Sequence, residues 1–370
     1  MRQAGPSPHG KRPHLAIYLS AHGFGHIGQT APVARELLQR TPELELTLVS
    51  AAPAFKLRER FGTGAAIHAA DLDVGMRQSN ALEVDIRGSW EAYTLFHDSW
   101  QNRVAQEAAR LRQLAPDLVL ANVPYLPLAA AKRAGIPAVA MCSLDWASIF
   151  GHYFASAGPD AAAILDEMLD AYRYAIRFLR LEPALAMPHL ENGMALGPVA
   201  ESGADRRAEI ASRVGLDKDE LLVMVSLGGM EFRPPVEQWP RVIGAHLIVP
   251  ASWEAEHPDL TAFEELGIPF IDALASCDLL IAKPGYGSFV EAACNGLPVL
   301  YVERRNWPEA GDIVSWMQGH GTCAKLEAAR LDGGQLIEPI RSLLAQPKRA
   351  PVKATGAAEA AVFLADRLEN

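Results

Sequence analysis

A chain of 370 residues is longer than a single hydrophobic core usually supports, so two domains are expected. Hydrophobic residues make up 49% of it, but no apolar run approaches the roughly 20 residues that a membrane-spanning helix needs. The 34 Lys and Arg residues face 44 Asp and Glu residues, and the formal charge of -10 argues against a nucleic-acid backbone or an anionic membrane surface as partner.

The beginning of the chain lacks the apolar segment of a secretory signal. Its first twelve residues contain two prolines and two glycines, so we predict a flexible lead-in over residues 1–13 and a cytoplasmic protein without a membrane span. The cysteines show no metal-ligand spacing, and we interpret them as reduced core residues. They are Cys142, Cys277, Cys294 and Cys323.

The first predicted strand, 14–20, runs into a glycine loop with two histidines, His22 and His26. Pro32 is predicted to stand in the first turn of the next helix, where its missing N–H costs little. Ligands of open α/β sheets bind at the carboxyl ends of the strands, which is where this loop lies. The two histidines are therefore candidate functional residues, and the alternative is that they cap the helix.

Further buried strands are predicted at 44–50, 117–121 and 137–142. Between the first two of these, the segment 71–100 carries five clustered aromatic or histidine residues. Packing against the sheet is the preferred explanation, and contact with a carbohydrate or lipid is the alternative. The cluster consists of Trp90, Tyr93, Phe96, His97 and Trp100.

Asp145 and Trp146 follow the strand 137–142, at the same predicted edge as the histidine loop. Asp145 is a candidate for orienting a histidine, and Trp146 for stacking on a sugar ring. The alternatives are that Asp145 caps a helix and that Trp146 belongs to the core.

An amphipathic helix at 160–181 is predicted to close the first domain. Glycines and prolines interrupt all periodicity over 188–203, which places the domain boundary there. We predict a first domain at 14–195, a second at 196–350, and a final helix within 351–370 that packs back on the first domain.

The second half repeats the strand–loop–helix–strand pattern of the first, with strands at 221–226, 245–249, 277–282 and 297–303. The strand 221–226 runs into a turn formed by Ser226-Leu227-Gly228-Gly229. The backbone amides of this turn are suited to binding a diphosphate. The strand 277–282 leads into 283–291 (KPGYGSFVE), where two glycines allow a sharp turn and Ser288 is predicted to cap a helix. The alternative for each loop is an ordinary strand-to-helix turn.

These motifs resemble glycosyltransferases of the GT-B fold, which have two Rossmann-like α/β domains facing a cleft. A distant resemblance is to the peptidoglycan N-acetylglucosaminyltransferase. A nearer one is to the glycosyltransferase-like amino-terminal half of plant-type arabinokinases, through the segments 22–26, 143–150, 283–291 and 304–309. The chain has no phosphate loop of the sugar-kinase type, so the resemblance does not imply kinase activity.

The resemblance implies that His26 is a general base and that Glu291 binds ribose hydroxyls. His22 would position the acceptor or contact the donor phosphate, and Lys283 and Arg304 would neutralise phosphate in place of a metal. The catalytic candidates are His22, His26 and Asp145. The donor-binding candidates are Gly23, Gly25, Ser226, Gly228, Gly229, Lys283, Gly285, Tyr286, Gly287, Ser288, Glu291, Arg304 and Glu309.

The expected function is an inverting, metal-independent glycosyltransferase that uses a nucleoside diphosphate sugar, with uridine as the favoured base, and no further cofactor. The acceptor is a sugar, a lipid-linked sugar or another small molecule. Two alternatives are a sugar-nucleotide-binding protein without catalysis and a sugar-nucleotide epimerase or hydrolase, because a fold does not fix a function.

Overall fold

The computed structural model describes residues 12–80, 82–228 and 233–369. Most of the predicted lead-in, 1–13, and the candidate Gly229 lie outside these residues.

The amino-terminal domain is built on a parallel sheet, to which the described residues contribute seven strands. The strands are β1 His14–Leu19, β2 Glu45–Val49, β3 Ala66–His68, β4 Leu118–Asn122, β5 Ala138–Cys142, β6 Phe178–Leu181 and β7 Gly193–Leu196. Their order across the sheet is β3-β2-β1-β4-β5-β6-β7. The helices are α1 Gly25–Arg40, α2 Ala54–Phe61, α3 Ile86–Asp98, α4 Trp100–Leu114, α5 Leu126–Ala134, α6 Trp146–Phe154 and α7 Pro159–Tyr174.

The carboxy-terminal domain has a second parallel sheet in the order β10-β9-β8-β11-β12-β13. Its strands are β8 Leu221–Ser226, β9 Ala245–Val249, β10 Leu260–Ala262, β11 Leu279–Ala282, β12 Val299–Val302 and β13 Cys323–Leu326. The helices are α8 Arg207–Val214, α9 Phe270–Ala275, α10 Tyr286–Cys294, α11 Ala310–His320, α12 Ala328–Asp332, α13 Ile337–Leu344 and α14 Gly356–Leu368.

The central strands are buried on both faces, as their continuous apolar runs require in a sheet covered by helices on either side. One hydrophobic cluster includes α1, α10 and α14 and therefore runs through both domains. Two further clusters fill the outer sides of the two sheets. Tyr93, Phe96 and Trp100 are buried in the first of these, so the aromatic cluster of the segment 71–100 is largely core.

Each sheet has one point at which the chain reverses its direction of progress across the strands. In the first sheet this point lies between β1 and β4, and in the second it lies between β8 and β11. Crevices at such switch points, outside the carboxyl ends of the strands, are where ligands of open α/β sheets bind. The histidine loop and the loop at 283–287 each lie at one of them.

Three local predictions are wrong. Pro32 lies in the interior of α1, because the helix already begins at Gly25 without a preceding cap side chain. The predicted helix 160–181 ends at Tyr174, and its last residues form β6 because Phe178, Leu179 and Leu181 fill the sheet. The region 188–203, expected to be irregular, contains β7, which pairs with β6.

The predicted domain boundary at residues 195 and 196 falls within β7, and the strands of the second sheet begin at Leu221. The helix α14 lies against α1, the helix that starts at the histidine loop. In the described ranges, no helix combines the length and apolar character needed to cross a membrane.

Candidate active site

The first catalytic candidate, His26, is the second residue of α1 and is buried beside the end of β4. Its Nδ1 lies 2.9 Å from Asn122 Oδ1. The Asn122 amide nitrogen donates to Gln29 Oε1 at 3.1 Å and to Thr30 Oγ1 at 2.9 Å, which turns its oxygen towards the histidine. Nδ1 is therefore the donor, and Nε2 keeps its lone pair. Burial lowers the pKa of His26 to about 4, although the Asn122 bond opposes this, so the imidazole is neutral near pH 7.

The hydrogen bonds continue from Asn122 into the other domain. Gln29 Nε2 donates to Ser143 Oγ at 3.0 Å, and Ser143 Oγ donates to Glu309 Oε1 at 2.5 Å. Trp307 Nε1 donates to Glu309 Oε2 at 3.3 Å. In each of these hydrogen bonds a donor faces an acceptor. The series of hydrogen bonds therefore connects the tautomer of His26 to the carboxylate of Glu309. Sequence reasoning made Glu309 a donor-binding candidate, and the structure shows its side chain 4% exposed and bound to protein groups.

His22 lies between two tryptophan rings from different domains. Its ring centroid is 5.1 Å from that of Trp146, edge to face, and 6.0 Å from that of Trp307, nearly parallel. Gly75 has a φ of +60°, and a Cβ there would lie 2.6 Å from His22 Nδ1, so only glycine leaves room for the ring. Burial, helped by His26 and the nearby cations, lowers the pKa of His22 to about 3.

Arg304 follows β12 and stacks on Trp307, with its guanidinium carbon 3.9 Å from the ring centroid. The residue is only 7% exposed, yet its Nε and Nη2 have no hydrogen-bond partner among the described residues. Burial lowers the pKa of Arg304 to about 10, and burial together with Arg304 lowers that of Lys283 to about 8. Buried donors that carry charge need an anion or an acceptor, and these two Arg304 nitrogens have none among the described residues.

Lys283 lies over the end of β8. Gly228 has a φ of +88°, and a Cβ at this position would be 2.9 Å from Lys283 Cε. The Lys283 side chain, which follows β11, therefore lies against the turn after β8 that contains Gly228.

The turn that follows Lys283 differs from the prediction. Gly285 is extended at a φ of -154°, and Gly287 lies inside α10, so neither adopts a glycine-specific conformation. Helix α10 begins at Tyr286, which means that Ser288 is within it and does not cap it. A Cβ at Gly287, as at Gly23 and Gly25 across the cleft, would meet no atom within 4 Å. Open space therefore lies above both glycine loops.

Tyr286 and Glu291 both face the region between the domains. The Tyr286 hydroxyl accepts from the Val199 amide at 2.9 Å and donates to the Glu182 carbonyl at 3.2 Å, so the side chain joins the domains and is not directed at a donor. Glu291 is the sixth residue of α10, about one turn further into the helix than a cap at Ser288 would place it. Burial raises its pKa to about 7, with Arg60 opposing this.

Asp145 does not orient either loop histidine. Its carboxylate caps α6 by accepting from the Ser148 amide at 2.7 Å, and it lies 3.4 Å from His189 Nε2. The capping alternative is therefore correct, and so is the core alternative for Trp146, which is fully buried. The residue that orients His26 is Asn122. Its position at the end of β4, beside β1, was the signal that sequence reasoning missed.

Asp73 is a second missed residue. It accepts from Trp146 Nε1 at 2.7 Å and from Ser20 Oγ at 3.2 Å.

All four cysteines are free thiols, and no three His, Cys, Asp or Glu side chains within residues 12–80, 82–228 and 233–369 converge as a metal site would require.

No known protein-family profile matches the chain. The chain is 26% identical over 305 residues to L-arabinokinase of Arabidopsis thaliana, a match that covers 81% of this chain and 29% of that protein. It therefore spans less than a third of the length of this curated relative.

Several solved structures superpose on nearly the whole chain. The glycotransferase of kitacinnamycin gives a TM-score of 0.62 at 18% identity, covering 97% of this chain and 95% of the other. A UDP-glucosyltransferase from Polygonum tinctorium gives 0.61 at 14% identity, with 99% and 100% covered. UGT71G1 of Medicago truncatula, complexed with UDP-glucose, gives 0.59 at 11% identity, with 97% and 99% covered. Together with the two switch points, this likeness shows that the chain has the GT-B fold, two Rossmann-like α/β domains facing one cleft, as its sequence predicts.

Proposed function

We propose that the protein is an inverting glycosyltransferase that moves a sugar from a nucleoside diphosphate sugar, with uridine as the base, to an acceptor hydroxyl. The observation that carries this proposal is the buried, incompletely paired guanidinium of Arg304 beside Lys283. Two cations at a switch point match the charge of a diphosphate. The first turn of α10 supports this assignment, because no described side chain caps its amides.

The proposed chemistry is one direct displacement. His26 Nε2 takes the proton of the acceptor hydroxyl, whose oxygen attacks the anomeric carbon from the face opposite the diphosphate. The bond between that carbon and the diphosphate oxygen breaks, and the electron pair leaves with the diphosphate. Arg304 and Lys283 stabilise the departing charge. A single displacement inverts the configuration of the anomeric carbon.

The names of the solved relatives support a uridine-based donor, since one is a UDP-glucosyltransferase and another holds UDP-glucose. The two cations support turnover without a metal, so we expect a chelator to leave activity unchanged. Loss of activity in chelator and its return with magnesium or manganese would contradict that part of the proposal.

The neighbouring arginine provides a matched control for the diphosphate assignment. Arg305 is 80% exposed and pairs with Glu303. We expect Arg304→Ala to weaken UDP binding in calorimetric titration about tenfold or more, the usual effect of losing hydrogen bonds to a charged group, and Arg305→Ala to leave it unchanged. Equal affinities in the two variants would remove Arg304 from the donor site.

Transfer itself is tested by mass spectrometry of UDP-sugars incubated with a mixture of acceptors. Glycosylated product with the inverted anomeric configuration is expected. Free sugar released at the same rate without acceptors would identify a hydrolase, and UDP binding without any product would identify a binding protein.

A further inference from the structure

A cavity of about 550 Å³ opens beside His22 and is separate from the cations of the proposed donor site. Its described lining comes entirely from the amino-terminal domain, from segments that follow β1, β2 and β3. The volume lies within the range of about 300–1,000 Å³ that small-molecule sites occupy. Its polar lining residues are His22, Asp71, Asp73, Arg77, Gln78 and Asp85.

The cavity is acidic. Arg77 is the one cationic residue among the described lining, against three aspartates. Asp85 already caps α3 by accepting from the Gly88 amide at 2.8 Å, whereas Asp71 is exposed. An anionic ligand would meet repulsion here, and hydroxyl or ammonium donors would find charged acceptors.

Two hydrogen bonds from protein side chains fix the orientation of the Asp73 carboxylate. Trp146 Nε1 and Ser20 Oγ each donate to a different carboxylate oxygen. Each oxygen accepts a single such bond and keeps a lone pair for a ligand hydroxyl. A flat aromatic or aliphatic ligand would cover these oxygens without donating hydrogen bonds to them. Burying polar atoms in this way raises the free energy of the complex.

Gln78 adds a further unsatisfied group. Its amide nitrogen lies 3.4 Å from His22 Nε2, while its Oε1 has no hydrogen-bond partner among the described residues. A ligand hydroxyl at this end of the cavity would lie next to His22, and it would satisfy the buried Gln78 oxygen after a shift of that side chain.

We infer that this cavity binds the acceptor, and that the acceptor is a small, hydroxyl-rich molecule without negative charge, such as a neutral or amine-bearing sugar. That the ligand is an acceptor rests on the proposed glycosyl transfer. The preference of the cavity for neutral over anionic sugars rests on its lining residues alone. Among the acceptor classes expected from the sequence, which are a sugar, a lipid-linked sugar and another small molecule, the lining favours an unphosphorylated sugar.

Ligand-observed saturation-transfer NMR tests this with methyl glucoside, glucosamine, glucuronate and 4-nitrophenol in one equimolar sample, with and without UDP. We expect signals from the first two sugars, and at least severalfold weaker ones from glucuronate and nitrophenol. Stronger signals from glucuronate or nitrophenol, or no signal from either of the first two sugars, would overturn the inference.

The isosteric variant Asp71→Asn should weaken binding of glucosamine about tenfold or more and reduce the discrimination against glucuronate. Asp98→Asn is the matched control, because Asp98 is exposed at the end of α3 and does not line the cavity. Equal effects of the two variants would place the sugar elsewhere. Titration with UDP reports the donor site separately, so a failure of the proposed function and a failure of this inference can be told apart.

Discussion

At the scale of single residues, burial sets the protonation states that the proposed reaction needs. His26 is kept neutral by burial and is held in one tautomer by Asn122, so its free Nε2 is a base at any pH above about 4. Arg304 and Lys283 remain cationic near neutral pH in spite of burial, which places positive charge at the second switch point.

Replacing His26 by alanine should separate chemistry from donor binding. We expect turnover to fall about a hundredfold or more, the usual contribution of a general base, with unchanged UDP affinity because the cations lie on the other domain. Mass spectrometry of the product and calorimetry with UDP are the two measurements. His68→Ala, at an exposed position on β3, is the control. Comparable product from the His26 variant would refute its role as base.

The lowered pKa of Lys283 predicts how donor affinity depends on pH. The ammonium group is half deprotonated near pH 8, so UDP affinity should fall by about half from pH 7 to 8 and then by up to tenfold per pH unit. Lys283→Arg should bind UDP with little change between pH 7 and 9.5, since a guanidinium keeps its charge there. A wild-type affinity that does not change over this range would show that Lys283 does not contact the diphosphate.

At the scale of elements, the site depends on how each strand ends. The strands β1, β4, β8 and β11 end at the two switch points. Asn122 is the last residue of β4, and the turns after the other three strands carry the histidine loop, Gly228 and Lys283. The helix starts are less regular. Both α1 and α10 begin directly after a glycine loop without a side-chain cap, which leaves their first amides facing the cleft.

Gly228→Ala tests the turn after β8. The positive φ makes alanine unfavourable by about 1–2 kcal/mol, and the new Cβ would push Lys283 aside. Gly215→Ala is a matched control, since Gly215 also has a positive φ of +69° but a Cβ there would meet nothing within 4 Å. Urea unfolding should show both variants destabilised, while only the first loses UDP affinity in calorimetry. Normal UDP binding by Gly228→Ala would mean that Lys283 can be displaced without a loss of UDP affinity.

At the scale of the whole molecule, apolar and polar contacts together join the two domains. The shared hydrophobic cluster includes residues of α1, α10 and α14, and the series of hydrogen bonds from His26 to Glu309 also crosses from one domain to the other. Because the donor cations and the base lie on different domains, the proposed transfer requires the domains to stay in register. Ser143 is the residue through which the buried polar link passes.

Ser143→Ala should loosen this link, because it leaves the buried carboxylate of Glu309 with one donor fewer. A loss of about 1–3 kcal/mol would speed amide exchange at the start of α11 by roughly 5-fold to 150-fold, measured by hydrogen–deuterium exchange. Ser148→Ala removes a similar bond, to Asp145 at 2.6 Å, but within one domain, and should affect α6 alone. Unchanged exchange at α11 in the Ser143 variant would show that this bond does not hold the domains together.

The sequence by itself determined the fold class, most of the strands, and the placement of the glycine loops at strand ends. These features follow from local patterns: continuous apolar runs must be buried in a covered parallel sheet, and such strands end at a common edge. The positions of helix starts such as those near Pro32 and Ser288 were not determined, because a helix can begin on free amides when a cleft or its solvent satisfies them.

Only the tertiary structure decided which side chains meet. Asn122 lies 96 residues from His26, and Ser143 lies 166 residues from Glu309, yet each pair shares a short hydrogen bond. No sequence periodicity encodes such pairs. The first arises where β1 and β4 end side by side in one sheet, and the second arises where the two domains meet. The same packing turned Asp145 into a helix cap and Glu309 into an interdomain acceptor, and it left Arg304 buried with nitrogens that have no partner among the described residues.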